Sequence, residues 1–94
     1  MEHFFKIEVY PFLNEIRFYV TEGETELSLT EYYENAEDDW MTIDILGKKK
    51  YDCNICYYYV GQDIQTLVSI YEVDENNDID VSKPITNKSI KVII

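Results

Sequence analysis

The segment Ser28-Leu29-Thr30-Glu31-Tyr32-Tyr33-Glu34-Asn35-Ala36-Glu37-Asp38-Asp39-Trp40 decides how the rest of the chain is read. Leu29, Tyr32, Tyr33, Ala36 and Trp40 recur at offsets of 3, 4, 7 and 11, the spacing of one helix face. Ser28, with Glu31 three residues later, has the form of a capping box. Together these features predict a helix over about residues 29–40, its apolar stripe laid across a sheet.

On either side of that segment the apolar period is two. Phe5, Ile7 and Val9 alternate with Lys6, Glu8 and Tyr10, and Ile16, Phe18 and Val20 alternate with Arg17 and Tyr19. The stretch from Pro11 to Asn14 between them predicts the turn of a hairpin, which ends at Glu22-Gly23-Glu24. Beyond the expected helix, Met41, Ile43 and Ile45 form another alternating run, followed by a turn at Gly47-Lys48-Lys49-Lys50. Tyr51 to Val60 reads as a long strand, closed by Gly61-Gln62-Asp63. Ile64 to Val73 is apolar on both faces, which predicts a central strand. Asp74 to Asp78 reads as a polar loop, and Ser89 to Ile94 as a last strand whose apolar end docks. The expected fold class is α+β: an antiparallel sheet of about five to six strands in ββα-βββ order, with one amphipathic helix packed on it, in a single domain over residues 1–94.

Composition limits the function. The chain has 94 residues, 46% of them apolar and 15% aromatic, enough for a modest packed core. No apolar run is long enough for a membrane-spanning helix, and the start, Met1-Glu2-His3-Phe4-Phe5-Lys6, lacks the pattern of a signal peptide. The expected location is therefore cytoplasmic. A net charge of −11 argues against direct binding to nucleic acid or to anionic lipid.

Motifs that carry chemistry are sparse. Cys53-Asn54-Ile55-Cys56 has the spacing of half a zinc site, but His3 is the one other soft ligand in the chain. In a strand, residues three apart face opposite ways, so Cys53 joins Tyr51, Ile55, Tyr57 and Tyr59 while Cys56 faces the other side. Two reduced cysteines are expected. His3 stands without a nucleophile or an orienting partner in the pattern around it. Asp74-Glu75-Asn76-Asn77-Asp78-Ile79-Asp80 opens like a calcium loop, yet Ile79 occupies the position that requires Gly and Ile85 the position of the bidentate Glu. The expectation is a protein that is not an enzyme, with no metal and no cofactor.

The acids are the remaining signal. Between Arg17 and Lys48 the chain has nine acids and no base. On the expected helix, Glu31, Glu34, Glu37, Asp38 and Asp39 avoid the apolar stripe, with about one charge per 2.4–3 Å of axis. Duplex DNA carries about one per 1.7 Å. Asp38 and Asp39 fall in the last turn, where the helix dipole disfavours anions. These residues, with Glu22, Glu24 and Glu26, form the expected partner-binding surface.

In size, acidity and lack of catalytic motifs the chain looks like the small inhibitors that phages and mobile elements deploy against CRISPR or restriction systems, a likeness of composition. It implies a nucleic-acid mimic whose partner is a basic protein, a nuclease or another nucleic-acid-binding complex, in a bacterial host. Two further readings share the composition. One is an immunity protein or antitoxin that neutralises a cognate basic toxin. The other is a small structural or assembly subunit that pairs through sheet edges. A homodimer is compatible with each.

Overall fold

Phe5, Ile7 and Val9 all point to one side of strand β1 (Phe4–Tyr10) and are wholly buried. The computed structural model describes residues 3–34, 38–45 and 49–93. Strand β2 (Glu15–Glu22) runs antiparallel to β1 and places Val20, Phe18 and Ile16 directly opposite Phe5, Ile7 and Val9. Burial of each such side chain stabilises by about 1.5–3 kcal/mol, so this ladder supplies much of the local driving force. The link between the strands follows from its residues. Pro11 begins a single 3₁₀ turn, Pro11–Leu13, and Asn14 then takes the left-handed conformation (φ 50, ψ 40) and donates its amide to the Pro11 carbonyl. Proline presets the first dihedral, and asparagine tolerates the last.

Strand β3 (Thr25–Tyr32) follows β2 through a two-residue turn, with Glu22 opposite Thr25. Gly23 has a φ of 61°, the positive value that a type II′ turn needs at its first central residue. Near the other end of the chain, strand β7 (Lys88–Val92) pairs with β1 in parallel, giving a four-stranded sheet of order β3-β2-β1-β7. Its junctions are bonded on both sides: the Phe5 amide donates to the Asn87 carbonyl at 3.1 Å and the Ile93 amide to Val9 at 2.8 Å.

The chain divides into two compact units. The first comprises Met1–Glu34 and Thr86–Ile94, and the second is Asn35–Ile85. The second unit is an antiparallel meander of β4 (Asp39–Ile45), β5 (Lys49–Val60) and β6 (Asp63–Glu72), in that spatial order. Ile43, Tyr51, Cys53, Ile55, Val68 and Ile70 form its buried set. The β5–β6 link is again a two-residue turn opened by a glycine, Gly61, at φ 65°. After β6, the loop is tied by its own acids: Asp74 accepts the amides of Asn76 and Asp78, and Asp80 accepts the amide and hydroxyl of Ser82.

The expected α+β class is therefore corrected. Among the described residues there is no helix over 29–40; residues up to Tyr32 belong to β3 and those from Asp39 to β4. The apparent helical spacing from Leu29 to Trp40 spans two separate strands. Within β3 the real period is two, with Leu27, Leu29 and Glu31 less exposed than Glu26, Ser28, Thr30 and Tyr32. Threonine and tyrosine, frequent in this stretch, favour the pleated surface of a strand. The apparent capping box is a coincidence of spacing: Ser28 lies opposite Tyr19, and Glu31 opposite Ile16. A single antiparallel sheet is likewise replaced by two sheets, one of which contains the parallel β1–β7 pair. The apolar run expected to be central, β6, lies at an edge, and β5 is the middle strand.

Candidate functional site

Loss of the helix redistributes the eight acids expected to act together. Glu22, Glu24 and Glu26 remain close, because the two-residue turn folds the end of β2 onto the start of β3. Glu24 and Glu26 are exposed. Glu22 is half-exposed, and its Oε2 lies 2.5 Å from His3 Nε2. Glu31 sits further along β3, and Glu34 is exposed just beyond the strand. Asp38 and Asp39 belong to the other unit. There Asp38 accepts the Asn54 side-chain amide at 2.6 Å, and Asp39 Oδ1 accepts the Trp40 backbone amide at 2.9 Å. Both aspartates thus have local roles at the entry to β4, a strand, where no helix dipole opposes them. Glu37 lies outside the described residues.

The charge asymmetry along the sequence is also softened in space. Strand β7 brings Lys88 and Lys91 into the first unit, which has eight acids against four bases, while the second has eleven against four. Both units are acidic.

Two bases of the first unit, Lys6 and Arg17, lie on the outer face of its sheet, opposite the face that buries Phe5 and Phe18. Arg17 donates from Nε to Glu15 at 2.7 Å and from Nη1 to the Tyr10 hydroxyl at 3.3 Å. The hydrogen bond to Glu15, reinforced by its charge, raises the Arg17 pKa further. Tyr10 in turn donates to Glu8 at 3.3 Å. A hydrogen bond with Glu8, followed by desolvation, pushes the Tyr19 hydroxyl above its ordinary pKa, and Lys6 Nζ stands 5.4 Å from the Tyr19 ring centroid. This network uses its charges internally, whereas Glu24 and Glu26 at the β2–β3 end, and Glu34, are exposed.

The outer face of the second sheet is different in character, and the sequence reading did not single it out. Trp40 on β4 and Tyr71 on β6 reach toward each other across β5, ring centroids 5.9 Å apart and planes tilted by 31°. Trp40, Met41, Thr42, Asp52 and Ile79 line an open groove beside them. The alternation of Trp40, Thr42 and Asp44 with Met41 and Ile43 carries this signal, which the helical offset of Trp40 from Leu29 masks. Leu67 on β6 is 59% exposed, and Cys56 opposite it is partly so. Cys53, by contrast, is buried, and neither cysteine is in a disulfide.

As for chemistry, no group of three or more His, Cys, Asp or Glu side chains suited to a metal is found among the described residues. Among them, too, no helix is long and apolar enough to cross a membrane. Comparison with family models, with curated proteins and with solved structures gives no match.

Proposed function

We propose that this chain is a non-enzymatic acidic binding protein that occupies the basic groove of a nucleic-acid-processing complex in a bacterial cytoplasm, and so inhibits it. The observation that supports this reading is the β2–β3 hairpin end. There Glu22, Glu24 and Glu26 fall within five residues on a two-residue turn. In the ladder Glu22 lies opposite Thr25 and Glu26 opposite Thr21, so their side chains leave opposite faces of the hairpin, with Glu24 in the turn between them. The hairpin is anchored by Phe18 and Val20, both buried, so the charges are presented on a rigid support. Rigid presentation limits the ordering entropy lost on binding. Among the described residues β3 has one ladder partner, β2, so this acidic end lies at a sheet edge open to a large partner.

The experiment is capture from nuclease-treated lysate on the immobilised protein. The reading expects a basic nucleic-acid-binding protein that is retained at low salt and released by added duplex. The Glu24→Gln, Glu26→Gln double variant should lose most of that retention. Capture of a single toxin that nucleic acid does not displace would replace this reading with that of an immunity protein. Recovery of the protein alone would overturn both.

A further inference from the structure

Trp40 combines three properties: it is 49% exposed, its ring lies 5.9 Å from that of Tyr71, and it lines a groove together with Asp52. From this arrangement we infer that the outer face of the second sheet holds an arginine side chain of the basic partner, with the guanidinium stacked on Trp40 and bonded to Asp52. The inference rests on the proposed function for the source of the arginine and deepens it by naming a second point of contact.

The groove is built for a cation of that shape. An indole presents the most negative aromatic face to a cation, and guanidinium, planar and weakly hydrated, is the cation that stacks best. Contact with the Tyr71 ring restrains Trp40, which reduces the side-chain entropy lost on binding. Asp52 lies directly between Thr42 and Tyr71 in the ladder. Its Oδ1 accepts the Thr42 hydroxyl at 3.3 Å, and a carboxylate has room for further donors. Ile79, from the loop after β6, closes one side of the groove with an apolar surface suited to the methylene stem of arginine. The surrounding charge has the right sign. Asp44 lies on the same face, opposite Lys50. Asp38 is bonded to Asn54, which lies opposite Trp40 in the ladder. The same charges oppose a phosphate, so a stacked nucleotide is disfavoured at these rings.

Trp40 is the sole tryptophan of the chain, so its fluorescence reports on the groove directly. The test titrates the full-length protein with a blocked tri-arginine peptide, its neutral tri-citrulline counterpart, tri-lysine and oligothymidylate. The expected result is a saturable change in Trp40 emission with tri-arginine, a weaker one with tri-lysine, and none with tri-citrulline or oligothymidylate. Asp52→Asn and Tyr71→Leu, which both keep the fluorophore, should each weaken tri-arginine binding by about fivefold. An equal response to tri-citrulline, a response to oligothymidylate alone, or no response to tri-arginine would overturn the inference. Under any of those outcomes the proposed function still stands if lysate capture remains sensitive to Glu24→Gln, Glu26→Gln. If instead tri-arginine binds as expected while lysate capture fails, the groove is a guanidinium site and the proposed function falls.

Discussion

The guanidinium carbon of Arg17 stands 4.2 Å from the centroid of the Tyr10 ring, on a neighbouring strand. The same guanidinium bonds Glu15, whose side chain is only 10% exposed. Removal of Arg17 therefore leaves a carboxylate largely out of water without its donor, while removal of both charges together does not. Arg17→Met should lower the urea midpoint by more than the Glu15→Gln, Arg17→Met double variant does. Equal losses would mean that the pair contributes packing alone.

At Gly61 an added Cβ meets nothing within 4 Å, yet φ is +65°. Any cost of substitution there comes from the backbone and not from crowding. Gly61→Ala should destabilise by about 1–2 kcal/mol in urea unfolding. Gly61→Asn should cost less, because asparagine visits this conformation more readily.

Ile55 and Leu67 lie on adjacent strands of the second sheet but on opposite faces, one wholly buried and the other mostly exposed. Ile55→Ala should cost about 2–5 kcal/mol. Leu67→Ala should change stability by no more than about 0.5 kcal/mol. Similar values for the two would contradict the register of β5 against β6.

The two cysteines offer a chemical check on that same register. Cys56 is partly exposed and Cys53 is buried. A thiol reagent should titrate one equivalent in the native protein and the second only after denaturation. Two fast equivalents in the native protein would place Cys53 on the solvent side.

Asp80 is held below its ordinary pKa by hydrogen bonds from the Ser82 hydroxyl and then the Ser82 amide, with Lys83 adding a favourable charge. A carboxylate with a depressed folded pKa stabilises the fold above its unfolded pKa, and loses that contribution as pH falls through the folded value. The ordering of the 80–83 turn should therefore persist at neutral pH and fade in the acid range below the usual aspartate value. Ser82→Ala should move the Asp80 titration upward, as read from its carboxyl carbon shift by NMR. An unmoved titration would show that the hydroxyl contributes nothing.

The strands with one buried face were legible from sequence. Phe5, Ile7 and Val9, then Ile16, Phe18 and Val20, alternate because one side of each strand meets the core and the other meets water. The same holds for the turn at Asn14 and for the opposed faces of Cys53 and Cys56. The reading failed where periodicity has two solutions. Leu29 to Trp40 fits a helix because Leu29 and Tyr32 of β3 and Trp40 of β4 happen to fall at helical offsets. For β6, an apolar pattern on both faces suggested a central strand, but Leu67 is simply exposed and Tyr71 packs beside Trp40. The parallel partnership of β1 with β7 leaves no local trace, because it joins Ile7 to Ile90. Of the candidate site, Glu22, Glu24 and Glu26 kept their proximity because a turn too short to rearrange connects them. The rest of the acid group depended on the helix and separated with it.

The pairing of β7 with β1 also bears on how the protein is made. A ribosome delivers β1 to β3, then the whole β4–β6 meander, before the residues that fill the last place in the first sheet exist. Throughout that interval one edge of β1, including the groups that later bond Asn87 and Ile93, is open to the cellular medium. Nascent chains stalled before residue 88 should therefore engage chaperones that recognise extended segments, and release should follow once Lys88–Val92 has cleared the exit tunnel.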